Sequence, residues 1–315
     1  MSTNFKRGLQ SYGIPLFGDG GRFTNPFNTH YFVDGDNGND GNSGTEPTKA
    51  LKTIQRAVTV SVGGDVIYIR PKTYTMGTGF ARYTEDVVIA NTGATGSGIT
   101  ASQANKSLIG ITPRGVPTDF LGVRWTKAST VNLNVEAPGT HLENIGFFAE
   151  GATYGIYFEG DGATYTKAGH TGSSMYNCSV KGEGGVFANG SDSLQIINCQ
   201  FQAKYDGNTS GIIITTDGTN AMRRPVVRGC HFLGGNGAAM DSAPIIWTGG
   251  TVNGLIADNY FDTGTTVIIN IATAGSTGLI VRNFFAEADI STTFIVQNGM
   301  ICVDNHDLGG EQTNA

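Results

Sequence analysis

The sequence predicts an all-β protein: a solenoid of stacked parallel strands, closed at its start by one helix and preceded by an extended arm. Three observations predict it. A six-residue pattern recurs from residue 142 onward, as Leu142-Glu-Asn144-Ile145-Gly-Phe147, Met175-Tyr-Asn177-Cys178-Ser-Val180, Ile196-Ile-Asn198-Cys199-Gln-Phe201 and Val227-Arg-Gly229-Cys230-His-Phe232. Looser copies follow at Ile256–Phe261, Ile280–Phe285 and Cys302–Asp307. The stretches between copies are rich in Val, Ile, Thr, Gly and Asn and lack amphipathic helical windows. Finally, 47 of the 315 residues are Gly and 15% are charged, as expected of a turn-dense β protein with one large core.

The pattern has a physical reading. Its first position is apolar in every copy, and its third is Asn, Asn, Asn, Gly, Asp, Arg and Asp. Asn, Gly and Asp best tolerate positive φ. A strand that ends on an inward apolar side chain, bends through one left-handed residue and restarts with inward residues at positions four and six gives this spacing. Arg282 is the poor fit at the bend. Successive bends lie 33, 21, 31, 29, 24 and 22 residues apart, which predicts a fixed coil with loops of varying length. Position six carries Phe147, Val180, Phe201, Phe232, Phe261 and Phe285, a core column stacking about 4.8 Å apart.

Residues 1–30 contain two aromatic stretches broken by Gly and Pro, Ser11–Phe17 and Arg22–Phe27, without the periodicity of an element. They are read as an arm that packs either on a partner or neighbouring subunit or along its own solenoid. Tyr31-Phe32-Val33-Asp34 reads as a short strand, and Gly35–Gly44 as a polar loop. Ala50, Leu51, Ile54, Ala57 and Val58 then fall at helical spacing, predicting a capping helix over about 47–61 that plugs the solenoid's open end. Asp65–Pro71 is a buried strand ended by proline. The solenoid domain spans 31–308, and 309–315 form a flexible tail.

These opening residues resemble those of the pectate-lyase-like right-handed parallel β-helix proteins: Tyr-Phe-Val-Asp, a Gly-Asn-Asp loop, Lys52-Thr53-Ile54-Gln55-Arg56-Ala57 and Asp65-Val66-Ile67-Tyr68-Ile69. The resemblance implies a right-handed parallel β-helix. Proteins with this opening include secreted polysaccharide lyases and hydrolases, and bacteriophage tail spikes, head fibres and capsid-bound proteins. Lys72 stands where the usual opening has Gly, and the Gly-His-Gly and paired-Asp signatures of the pectin hydrolases are missing, as is an Asp cluster matching the lyase calcium site.

A formal net charge of −6 and a pI near 5.3, with no Lys/Arg block, argue against a nucleic-acid partner. No apolar run is long enough for a membrane span, and Met1–Gly8 lacks the apolar stretch of a cleaved export signal. The expected location is therefore the virion, after synthesis in host cytoplasm. Cys178, Cys199 and Cys230 share motif position four and Cys302 takes another inward position, so they read as small core side chains in a reduced protein.

The loop Asp34–Asn42 alternates oxygen-bearing side chains with Gly, as calcium loops do, but lacks the bidentate Glu. The competing reading is a turn whose Asn and Asp side chains bond their own backbone. Glycan cleavage needs two carboxylates across a sugar-sized gap, or a base with a cation. Glu143, Glu150, Glu159 and Asp161 lie on or beside one coil and Glu183 and Asp192 on the next, while His170 sits beside Lys167 in the longest loop. Trp125 and Trp247 read as core rather than as sugar platforms. No residue is assigned as catalytic, cofactor-binding or metal-binding, and no cofactor is implied.

The expected function is a structural bacteriophage virion protein: a capsid decoration, head fibre or tail-associated subunit that contacts host-surface glycan. The arm would attach it to other virion proteins, and the resemblance implies a homotrimer. The alternative is a polysaccharide depolymerase tail spike, a lyase or glycoside hydrolase.

Overall fold

The computed structural model describes residues 9–11, 14–17, 28–75, 79–90, 104–111, 122–128, 131–149, 151, 154–160, 167–203, 211–215, 222–234, 243–264, 267–286 and 295–308. The tail 309–315, Arg22–Phe27, Glu150 and Asp161 lie outside them. Three parallel sheets run along the molecule, and each of eight complete turns contributes one strand to each. Sheet 1 has 10 strands, from His30–Val33 and Val66–Ile69 up to Ile301–Val303; sheet 2 has nine, from Tyr83–Thr84 to His306–Asp307; sheet 3 has eight, from Val87–Ile89 to Ile295–Val296.

The repeated pattern is the corner between sheets 1 and 2. All seven bend residues are left-handed: Asn144 (φ 57°), Asn177 (50°), Asn198 (53°), Gly229 (64°), Asp258 (57°), Arg282 (52°) and Asp304 (51°). Such a residue turns the chain sharply while leaving the flanking strands extended. A second left-handed column, two residues before sheet 1 strands, comprises Gly64, Asn105, Gly139, Gly172, Ser193 and Arg224. Sequence reasoning did not find it.

Position six forms the expected core column. Register places Tyr83, Trp125, Phe147, Val180, Phe201, Phe232, Phe261, Phe285 and Asp307 in line. Phe201, Phe232, Phe261 and Phe285 stack nearly parallel, with centroids 5.0, 4.8 and 5.2 Å apart. Trp125 and Trp247 are fully buried.

Position four is also inward, and it changes chemistry along the axis. Cys178, Cys199 and Cys230 are buried free thiols, followed by buried Asn259, Asn283 and Asn305. Each of Asn259 and Asn283 donates from Nδ2 to the next Oδ1 at 2.9 Å, and each Oδ1 of Asn283 and Asn305 also accepts a backbone N–H. The second Nδ2 hydrogens go to Val227 and Ile256 carbonyls. A polar ladder therefore runs through the core with its groups satisfied.

The predicted helix over 47–61 is two pieces. Pro47–Lys49 form a 3₁₀ turn and Ile54–Val60 form helix α1, with extended chain between. The break arises because Leu51 N–H donates to Phe32 O and Leu51 O accepts from Asp34 N, which binds this segment to the first strand. The capping role stands. Ile54, Ala57 and Val58 join the main core, and Gln55 Oε1 accepts Val88 N–H on the first strand of sheet 3. The Glu85 carboxylate accepts Ile54 and Gln55 N–H at the start of α1. At its end, fully buried Lys106 donates from Nζ to Val58 and Ser61 carbonyls at 2.7 and 2.9 Å. Both helix ends are thus held by the first coils.

The N-terminal segment departs from expectation too: Leu9–Ser11 pairs antiparallel with Ile14–Phe17, a hairpin where no element was expected. Short strands of this kind lie below the length at which alternation is readable.

Candidate functional site

The structure separates most of the sequence's candidates. In the loop 34–42, Asp34 Oδ1 accepts Asp36 and Asn37 N–H, Asn39 Oδ1 accepts Gly41 N–H, and Asp40 accepts Lys52 N–H, Thr53 N–H and the Thr53 hydroxyl. Arg70 also pairs with Asp34. Burial alone would raise the Asp34 pKa, but the bonds from Asn37, Arg70 and Asp36 outweigh it and lower it. These oxygens brace the turn, as the backbone-bonding reading expects. Among the described residues, no three His, Cys, Asp or Glu side chains are placed to share a metal ion.

Glu143 projects from the outer face of sheet 1. There His141 Nδ1 lies 2.8 Å from Ser174 Oγ and its Nε2 3.3 Å from Glu143 Oε2, a Ser-His-Glu grouping the sequence did not suggest. Acyl transfer also requires N–H donors beside the nucleophile. Here Ser174 N–H donates to Thr140 O and His141 N–H to Lys106 O, so the sheet itself holds those donors. Asp192 lies at another corner and pairs with Arg224 at 2.7 Å.

One cluster does form, where sheet 3 leaves toward sheet 1. Glu136 follows strand Leu133–Val135, and Glu159 follows strand Ile156–Phe158 on the next coil. The returning loop lays Ala168 and Gly169 on these coils: Ala168 N–H donates to Glu136 O, and Gly169 N–H to Glu159 O. Gly169 permits the approach, since a Cβ there would sit 1.8 Å from Val135 O. Lys167 is thereby delivered between the two acids, with Nζ 2.7 Å from Glu159 Oε1 and 3.2 Å from Glu136 Oε1. Burial works against the Lys167 charge, but the bonds to Glu159 and Glu136 outweigh it and raise its pKa above the ordinary lysine value.

Beside this trio the outer face of sheet 3 is aromatic. Tyr154 stacks on Phe187 with centroids 4.4 Å apart, and Tyr157 lies 5.3 Å from Phe187. Burial first, then the Glu159 charge, raises the Tyr157 pKa. Asn134, in register below Tyr157, donates from Nδ2 to Glu159 Oε2 at 2.9 Å, while its buried Oδ1 has no partner. Ile213 and Ile246 continue the half-buried stripe over the next two coils.

The two Lys167 distances put the carboxylate oxygens within about 6 Å of each other, near the separation of a retaining glycosidase pair. The ammonium, however, fills the gap where a scissile bond would lie, and it neutralises both acids' capacity to act independently. The arrangement offers an aromatic surface rimmed by acceptors, which is suited to holding a polyhydroxylated ligand.

No family model and no characterised protein sequence matches the chain. Among solved structures, Escherichia coli YbhC superposes over 99% of this chain and 100% of its own with a TM-score of 0.52 at 11% identity. This chain is a right-handed parallel β-helix. A rhamnogalacturonan lyase aligns over 88% of this chain and 73% of its own at 13% identity and TM-score 0.46, and the pectin methylesterase from carrot over 90% and 84% at 12% and 0.38. Identities this low carry the fold alone. On the β-helix, the Lys167 corner brings one of the sequence's candidate acids, Glu159, together with Glu136 and Lys167.

Proposed function

We propose that this β-helix is a structural component of a bacteriophage particle, a capsid decoration, head fibre or tail-associated subunit that holds host-surface glycan without cleaving it. The observation that carries the non-catalytic part is Lys167, seated between Glu136 and Glu159 where a glycosidase needs an open gap. The continuous core, with stacked Phe201 to Phe285 and the Asn259-Asn283-Asn305 ladder, supports a stiff, protease-resistant body. The virion assignment rests on the resemblance of the opening residues 31–69 to those of phage β-helices. In this reading the protein resides on the virion as a homotrimer, and the N-terminal segment binds capsid or tail proteins.

Incubation of the full chain with capsular polysaccharide or lipopolysaccharide of a susceptible host tests this. Glycan retained on the protein with no new reducing or unsaturated ends is the expected result. Release of oligosaccharides that Glu159→Gln abolishes would establish the depolymerase alternative instead.

A further inference from the structure

We infer that the Lys167 corner and the stripe beside it select neutral, hydroxyl- and acetamido-bearing glycans over acidic ones. This specificity rests on the glycan-holding part of the function proposed above. It follows from three observations on sheet 3.

The first is charge. Two carboxylates, Glu136 and Glu159, face one ammonium, Lys167, so the corner carries a net charge of −1 when all three are ionised. The chain as a whole carries −6. A uronate or sialate carboxylate brought to this rim meets net repulsion at contact range, and Lys167 is already engaged by both acids.

The second is hydrogen-bond polarity. Glu136 and Glu159, both partly exposed, present carboxylate oxygens that accept hydrogen bonds and donate none when ionised. A rim of carboxylate acceptors calls for ligand O–H or N–H groups. Neutral sugars supply hydroxyl donors, and acetamido sugars add an N–H. A ligand carboxylate brings only acceptors.

The third is the surface itself. Tyr157, Phe187, Ile213 and Ile246 stand on successive coils, half-buried and in register. Coils repeat every ~4.8 Å, comparable to one pyranose, so consecutive sugar C–H faces can lie along consecutive coils.

The test is binding of the full chain to a printed array of neutral, acetamido and acidic oligosaccharides, followed by titration of the strongest neutral and acidic probes. The expected hits are neutral or acetamido glycans, with acidic probes of equal length weaker by about tenfold. Phe187→Ala should weaken the neutral hit by about tenfold, and the double variant Glu136→Gln/Glu159→Gln, which frees the Lys167 charge, should narrow or reverse the ratio. Acidic hits, an empty array, or neutral binding indifferent to Phe187→Ala would each overturn the inference. None of these bears on whether the chain is part of a particle, which its copy number decides separately.

Discussion

Arg282 and Asp258 occupy the same left-handed bend on adjacent coils, and Arg282 grips Asp258 through Nε at 2.7 Å and a second guanidinium nitrogen at 3.1 Å. Arg228 reaches the same carboxylate from the other side at 3.0 Å. Arg282 pairing first, then burial opposing it and Arg228 adding to it, leaves the Asp258 pKa below the ordinary carboxylate value. The residue that fits the bend least well by conformational preference is therefore the one that clamps the bend beneath it.

Arg282 is exposed and Asp258 only half-buried, so solvent screens the pair and backbone conformation should dominate. Arg282→Asn is expected to leave Tm within about 2 °C of wild type, whereas Arg282→Val, β-branched at φ 52°, lowers it by about 2–4 °C. A greater fall for Asn than for Val in thermal unfolding would contradict this.

The core ladder predicts a larger effect. Asn283→Ala removes the acceptor of Asn259 N–H and Nδ2 and the side-chain donor to Asn305, all buried. The expected loss is about 3 kcal/mol, against about 1 kcal/mol for Cys199→Ala in the same column. Urea unfolding of the two variants compares them directly, and equal losses would argue against the ladder.

Cys178, Cys199, Cys230 and Cys302 are buried free thiols whose burial raises the pKa of Cys178 and Cys199 strongly and that of Cys302 to about 11. The native protein should react slowly with a thiol reagent at pH 8, and all four groups should titrate after denaturation without reductant. Fewer than four after denaturation would indicate a disulfide.

Lys106 links the capping helix to pH. Burial depresses its pKa from 10.5 to about 8, with the Asp65 charge opposing. Between about pH 8 and 10.5 the unfolded chain holds more of this proton than the folded one, so this group's contribution to stability grows as pH rises through that window. In Lys106→Met that increment disappears. The wild-type Tm minus the variant Tm should therefore be larger at pH 10 than at pH 7.5; a constant difference would contradict the buried-amine account.

Gly169→Ala tests the site's scaffold. The added Cβ meets Val135 O and displaces the loop that delivers Lys167. A cost of about 2 kcal/mol is expected, with loss of glycan binding. Binding unchanged in the folded variant would show that the Lys167 trio is not the rim of the site.

The corner between sheets 1 and 2 was legible because positive φ admits few residue types, so Asn144, Asn177, Asn198, Gly229 and Asp258 mark it directly. The second bend column was not, since Ser193 and Arg224 carry no such preference and the loops before them vary in length. The capping helix was overextended because Leu51 keeps helical spacing while its backbone pairs with the first strand. At the site, Glu159 and Lys167 were named from sequence, but Glu136 was not: it meets Lys167 across 31 residues of chain, through a return that depends on a single glycine. The position-four change from Cys230 to Asn259 went unread, because the ladder emerges only once register stacks Asn259, Asn283 and Asn305.

The most direct measurement is the copy number of this chain in purified particles of the phage that encodes it, by quantitative mass spectrometry against the major capsid protein. The account predicts a fixed stoichiometry in multiples of three, retained after washing at high salt. Particles that lack the chain would contradict it.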